Sequence, residues 1–502
     1  MNRKILSCIS LGYLMLPLLI FFIGFVKLSI ALPLLVLSLY SFYKAIDKNK
    51  SSCTFLSSKM LGVLFVVSIL ASWLSGIGAF FCQTGDFLVK NALLRDLCNH
   101  NWPLYIDLSK EPIGVQEIIG SEKVAFVYYL FFYLPAAACG KVGGELMARI
   151  VFLLWSALGI FLVLVNTVEF ALLKSGVSSK NVLLVLTVLF AFGGLDIIGY
   201  LPHVNFSSLY SVFFQFPITS FVETWCMPYF RLWGGNIHDL AFVFNQCIPT
   251  WLITILILSR SDNKTIFFIY SFTLLYSPWA TIGLFPIVLY LWVRGSHEKK
   301  FLSKFEFIET WSIQNILFPL CVLVIVASYY GANTASTGTR GWFFDFMTIG
   351  EFLIFYPLFL LVEIGVYIWF LRKDIVSKPI LQVSLLVLLA LPFYHITPGN
   401  DLLMRASIPA LYVICVYWAI YVVGNFHRQK YLMVTILFFT SFSSTHTYTE
   451  AFSKLVQEKK IHIEDPIGSF FAIDTKQYAD MCDFQFFSHD YSNTFFFKYI
   501  AK

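Results

Sequence analysis

Long apolar runs recur from residue 6 to residue 446, among them LGYLMLPLLIFFIGF near the start, LGVLFVVSILASWLSGIGAFF at 61–81 and VLLVLTVLFAF at 182–192. A hydrocarbon core about 30 Å thick asks for helices of roughly 17–25 apolar residues. Backbone N–H and C=O groups in lipid must be satisfied within the segment, which selects helices over open strands. A transmembrane barrel would alternate apolar and polar residues over about ten positions per strand, and these runs do not alternate. Only 13% of residues are charged and 58% are hydrophobic, against about 25% charged in soluble domains. The fold expected is an all-α polytopic membrane protein.

The net charge of +6 does not point to nucleic acid, because Lys and Arg gather in short loops between apolar runs, where they set orientation. With Asn2–Lys4 cytoplasmic, the N-terminus reads as an uncleaved first helix. Spans are then expected near 6–26, 28–43, 60–81, 148–173, 181–199, 238–258, 265–279, 281–294, 312–331, 350–371, 379–396, 406–424 and 430–446. That is about thirteen crossings, with the basic loops KAIDKNKSSCTFLSSK, KSGVSSKN, RSDNK, RGSHEKKFLSK, LRKDIVSK and HRQK inside. The outside segments are 82–147, 200–237, 332–349, 397–405 and a C-terminal tail, 447–502, packed on the outer face. The plan is one transmembrane domain, 1–446, followed by that tail. VAFVYYLFFYLPAAACGKVGG (124–144) is apolar enough to cross, but a crossing there would invert every later loop against the charge rule. Pro135 and the glycines also weaken it. It is read as a helix lying in the outer leaflet, so that 82–147 is a large first outside loop carrying membrane-surface helices.

The ten cysteines are scattered and show no CxxC or Cys/His metal spacing. Most read as small apolar helix residues. Cys82 and Cys98 share the first outside loop and would pair only in an oxidising compartment.

Polar residues concentrate at the outer ends of the spans. In GDFLVKNALLRDL, Asp86 and Lys90 stand at i and i+4, which puts them on one face of a helix. They can be a solvated ion pair at a helix start, or a carboxylate held at the membrane surface as a general base. Asp96 and Asp107 are further acids of that kind, and His100 reads equally as a hydrogen-bonded loop residue. Asp196 lies in FGGLDIIGY, His203 follows Pro202, and His238–Asp239 opens a span in WGGNIHDLAF, where capping competes with function. Asp401 and Arg405 form another i, i+4 pair in NDLLMRASIPAL. Arg231, Arg340 and Arg405 are cations in outside segments, which are ordinarily poor in arginine, and a guanidinium suits a lipid phosphate. Trp102, Trp225, Trp233 and Trp342 in the same segments read as interfacial belt residues or as sugar-stacking platforms.

Across roughly residues 60–425 this arrangement resembles the C-type membrane glycosyltransferases, relatives of protein O-mannosyltransferases and oligosaccharyltransferases. The resemblance implies a first large outside loop with an acidic catalytic residue near its start, matched by Asp86 in GDFLVKNALLRDL, with Asp96 as the second candidate. It also implies an outer-leaflet helix, matched by YYLFFYLPAAACGKVGG, and a donor-phosphate contact, matched by Arg405 in NDLLMRASIPAL. Two features depart from the family plan: Gly85 stands where a paired acid would, and two extra spans precede the loop. A divalent metal is therefore left open and no metal ligands are assigned.

The function expected is transfer of a sugar from a polyprenyl-phosphate donor to a glycan or lipid-linked acceptor. The site would be the outer face of a bacterial inner membrane, with Asp86 or Asp96 as base. Lys90, Asp196, His203, His238, Arg231, Arg340, Asp401 and Arg405 would line the substrate site. An O-antigen-type polymerase would instead centre on outside-loop arginines. A flippase or transporter would place charges at mid-span, beside broken helices, whereas Glu169 and Glu363 are nearly alone within the spans.

Overall fold

The computed structural model describes residues 3–46, 56–107, 123–195, 230, 235–260, 264–297, 310–333, 340–396, 400–471 and 486–502. These residues are mostly helical, with few strands. The helices are α1 (Arg3–Phe25), α2 (Leu28–Ala45), α3 (Ser58–Leu74), α4 (Phe87–Asn99), α5 (Leu134–Ala171), α6 (Ser179–Ala191), α7 (Asn236–Phe242) and α8 (Phe244–Ser259). They continue as α9 (Ile266–Tyr276), α10 (Pro278–His297), α11 (Ile313–Tyr330), α12 (Ile349–Ser377), α13 (Pro379–Ala390), α14 (Asp401–Ala406), α15 (Ile408–Asn425) and α16 (Lys430–Glu458). Six are long and apolar enough to cross a membrane: α1, α2, α5 with the turn before it, α11, α12 and α15. This is a membrane-type helical bundle.

Burial divides the helices as a lipid solvent requires. Every residue of α8 from Phe244 to Ile257 is buried, so this helix is the bundle's axis. In α2 the exposed residues Leu28, Leu32, Val36, Leu39 and Tyr43 recur every three or four positions. A helix in water would place polar residues on that face, so the apolar face turned outward is one that meets lipid. Helix starts follow local chemistry. The hydroxyls of Ser57 and Ser178 accept the N–H of Met60 and Asn181. At α12, Thr348 and Glu351 bond each other's backbone N–H in a capping box.

Contacts between loops sort the bundle into two ends. At one, the α1–α2 turn bonds the chain's last residues (Lys27 N–H to the Ile500 carbonyl, 2.9 Å). There β1 (Tyr105–Asp107), β2 (Lys123–Phe126) and β5 (Phe487–Ser488) form an antiparallel sheet in the order β1-β2-β5. The ribbon of β3 (Arg340–Trp342) and β4 (Tyr394–Ile396) is a separate pair. At the opposite end Arg260 bonds Ser7 (2.8 Å) and the Ala45 carbonyl (3.3 Å), Lys180 meets His427 (3.3 Å), and Arg3 pairs with Glu169 (3.6 Å).

Several expected boundaries change. Residues 124–144 are not one surface helix: Lys123–Phe126 is strand, a 3-10 turn covers Phe131–Tyr133, and helix begins at Leu134. That helix runs on into α5, bent at Gly144, whose φ of 80° is open to glycine at little steric cost. The limb 134–143 is about 15 Å long, half a hydrocarbon core, too short to cross by itself. The expected span 238–258 is cut at Val243 into α7 and α8. Helix α6 stops at Ala191, before the expected 199, and residues 192–195 are non-helical. The last helix passes residue 446 and ends at Glu458, so the planned domain boundary falls inside it. Cys82 and Cys98 are both free thiols.

Candidate functional site at one end of the bundle

Helix α4 carries the first two site residues. Its apolar face, Phe87, Ala92, Leu93, Leu94 and Leu97, is buried. Asp86 occupies the N-cap position, exposed, with no side-chain cap hydrogen bond. One turn on, Lys90 is only 6% exposed and its ammonium donates to the Phe242 carbonyl. The Thr84 hydroxyl donates to the neighbouring Ala241 carbonyl (3.4 Å). These carbonyls close α7, and the break at Val243 exposes that terminus, where orphan carbonyls concentrate partial negative charge. The rings of Phe87 and Phe244 flank the ammonium, with centroids 4.9 and 5.0 Å away.

The second wall comes from more than 300 residues downstream in the chain. Asn400 caps α14 by accepting the Leu403 N–H (3.3 Å), and Asp401 then pairs with Arg405 (2.8 Å) across one turn. Helix α14 lies directly on α10: a Cβ on Gly283 would run into the Ala406 carbonyl. Arg405 keeps only 16% of its side chain exposed, and its Nε–H is buried with no hydrogen-bond partner among the described residues. The third wall is Tyr128–Tyr129, just after β2. Tyr329 of α11 fixes it, donating to the Phe126 carbonyl and accepting the Tyr128 N–H, both at 3.3 Å. Asn333 adds a bond to the Val127 carbonyl (3.1 Å).

These three walls share one electrostatic field. Burial pushes the Lys90 ammonium down to about 8; Asp86 and Cys247 oppose that shift and Arg405 adds to it. Burial likewise raises the Tyr128 phenol, with Arg405 pulling it down and Asp86 and Asp401 pushing it up. Lys90 and Arg405 are therefore two largely desolvated cations close enough to repel. Among the described residues, only Asp401 is directly ion-paired with either. An anion with several acceptor oxygens would relieve that repulsion and meet the buried Nε–H.

The remaining candidates are distributed as follows. Asp96 does not join this site. It is 1% exposed, and its two oxygens accept the Ser469 hydroxyl (2.5 Å) and the Phe470 N–H (2.7 Å) from the C-terminal segment. Burial raises its carboxyl to about 6 despite those two bonds. His238 meets Thr447 (3.4 Å) and stacks on Phe242. Arg340 is exposed on the β3–β4 ribbon. His100 stacks on Phe471, its centroid 3.5 Å away. Asp196, His203 and Arg231 lie outside the described residues. Asp239, read from sequence as part of a cap, has its carboxyl raised by burial to about 7, with His238 opposing. The sequence carried no signal that would single out Tyr128 and Tyr129, which sit in a run of aromatics. Among the described residues no group of three or more His, Cys, Asp or Glu could hold a metal ion.

No family model, curated protein or solved structure matches this chain.

Proposed function

We propose that this protein is a membrane glycosyltransferase that moves a sugar from a polyprenyl-phosphate donor to a glycan or lipid-linked acceptor at the outer membrane face. The observation that carries the reading is the pairing of Lys90 with Arg405, two largely buried cations brought together beside the exposed Asp86. In the proposed reaction the acceptor hydroxyl gives its proton to the Asp86 carboxylate. Its oxygen bonds to the anomeric carbon from the face opposite the leaving group, and the bond from that carbon to the phosphate oxygen breaks with inversion. The polyprenyl phosphate departs with one more negative charge, which Lys90 and Arg405 offset. The lipid tail lies along the apolar helix faces.

The topology proposed is thirteen crossings, the seven shorter apolar helices joining the six long ones. The contacts that bind the chain's loops at the two ends support it. Residues 25–27, 83–107, 123–129, 241–242, 462–471 and 486–502 touch one another at one end. Residues 3–7, 45, 169, 180, 260 and 427 meet at the other. Strict alternation of thirteen helices sorts the two groups this way. The basic end is then cytoplasmic by the positive-inside rule, in a bacterial inner membrane.

The test is transfer from a synthetic short-chain polyprenyl-phosphate hexose by purified protein in nanodiscs, scored by release of polyprenyl phosphate. Loss of a general base costs about 10²–10⁴ in rate, so Asp86→Asn should fall by at least a hundredfold. A folded Asp86→Asn protein that turns over normally would remove Asp86 from the reaction. One observation favours a carrier instead. Glu363 is buried at the π-turn Leu361–Gly365 in mid-α12, packed against Gly194 where α6 has already ended. Acids beside broken helices at mid-membrane are a transporter trait. Lipid-linked sugar crossing sealed vesicles without transfer would decide for it.

A further inference from the structure

Residues 462–471 and 486–488 of the C-terminal segment bond both of the walls that end in the site. On α4, the Arg95 guanidinium lies between Glu145 (3.1 and 3.2 Å) and Asp465 (2.5 and 2.9 Å) and also donates to the Gly468 carbonyl. Next to it Asp96 holds Ser469 and the Phe470 N–H. Ahead of α4, Gln83 bonds the His462 carbonyl (3.0 Å) and the Glu464 N–H (3.1 Å), and Asn91 donates to the Glu464 carbonyl (2.7 Å). On the tyrosine wall, β5 pairs with β2, and the Phe486 carbonyl accepts the Val127 N–H (2.8 Å), one residue before Tyr128.

A helix the length of α4, thirteen residues, does not hold its orientation by itself; tertiary anchors supply it. Each residue adds about 100° of rotation, so the grip on Arg95 and Asp96 sets the roll of α4 and thereby where Lys90 points. We infer that Arg95, Asp96 and their partners Asp465 and Ser469 are positioning residues for the phosphate site. Through them the C-terminal segment holds Lys90 against the α7 carbonyls and keeps it out of water. The proposal rests on the donor-phosphate reading of the site, but its geometric content can be measured without any turnover.

The experiment uses the full chain carrying Asp465→Asn and Ser469→Ala together. Labelling of Lys90 by an amine-reactive reagent is followed by mass spectrometry across pH 6–11. Hydrogen exchange of residues 462–471 and thermal unfolding are recorded on the same samples. The wild type should label with a midpoint near 8. In the double variant, water admitted around the ammonium should raise that midpoint by a unit or more, about a fivefold loss of free amine at pH 8, and donor KM should rise with it. The exposed Lys123→Ala should leave the midpoint in place. Faster exchange of 462–471 with an unmoved Lys90 midpoint would overturn the proposal and leave the segment a purely structural brace. An Arg95→Ala protein that loosens the segment and moves nothing at Lys90 would overturn it equally. A shifted midpoint in a protein that shows no transfer would retain the positioning role and reject the glycosyltransferase reading.

Discussion

Replacing Lys90 with methionine should leave the protein as stable as before, or more so, while abolishing its hold on the donor. Burial lowers the ammonium from its ordinary 10.5 to about 8, which corresponds to about 3 kcal/mol of cost to the folded state near neutral pH. Methionine is unbranched, one atom shorter than lysine, and carries no charge to desolvate. Against that gain stand the hydrogen bond to the Phe242 carbonyl and the two ring contacts, together worth about 2 kcal/mol. The net expectation is about 1 kcal/mol of stabilisation, a rise of a few degrees at most in Tm. The sign with pH follows from the lowered pKa. Between pH 8 and 10.5 the unfolded chain binds the proton that the native Lys90 has lost. Wild-type stability relative to Lys90→Met should therefore climb across that window and be lowest below it. Donor affinity should run the other way, weakening as pH rises through about 8, because the neutral amine no longer attracts phosphate. The assay is thermal unfolding in detergent at pH 7.5 and pH 10, paired with binding of short-chain polyprenyl phosphate. A variant that loses several degrees of Tm but binds the phosphate normally would refute the reasoning and make Lys90 a structural brace for α7.

Three further substitutions separate the walls of the site. Arg405→Lys keeps the charge but loses the planar fork and the buried Nε–H, and polyprenyl-phosphate affinity should fall roughly tenfold or more, measured by isothermal titration. Gly283→Ala drives a methyl into the Ala406 carbonyl, so α14 must move; about 1–3 kcal/mol of stability should go, with a matching rise in donor KM. Tyr329→Phe removes the hydroxyl shared by the Phe126 carbonyl and the Tyr128 N–H, costing about 1 kcal/mol of stability. Faster hydrogen exchange at Tyr128 would report the loosened wall.

What was legible in the sequence is what local chemistry dictates. Apolar runs gave the helices, and the i, i+4 spacing of Asp401 and Arg405 gave an ion pair that the fold contains. The partners of Asp96 were not legible because an acid following a candidate catalytic acid looks the same whether it faces substrate or a segment more than 370 residues away. Tyr128 and Tyr129 were not legible for a related reason: what distinguishes them from neighbouring aromatics is Tyr329, a residue of a distant helix. The break at Val243 was invisible because an apolar run reads as continuous whether or not one residue leaves helical geometry. Long-range partners decide such positions, and a single chain's spacing does not encode them.

The pairing of β2 with β5 also sets a clock. Strand β2 leaves the ribosome about 360 residues before its partner, a wait of about 20–70 s at ordinary rates of synthesis. Throughout that interval the tyrosine wall has an unpaired sheet edge and a helix bundle still under construction. A nascent chain interrupted anywhere before Phe487 would carry the tyrosine wall without the strand that closes its sheet.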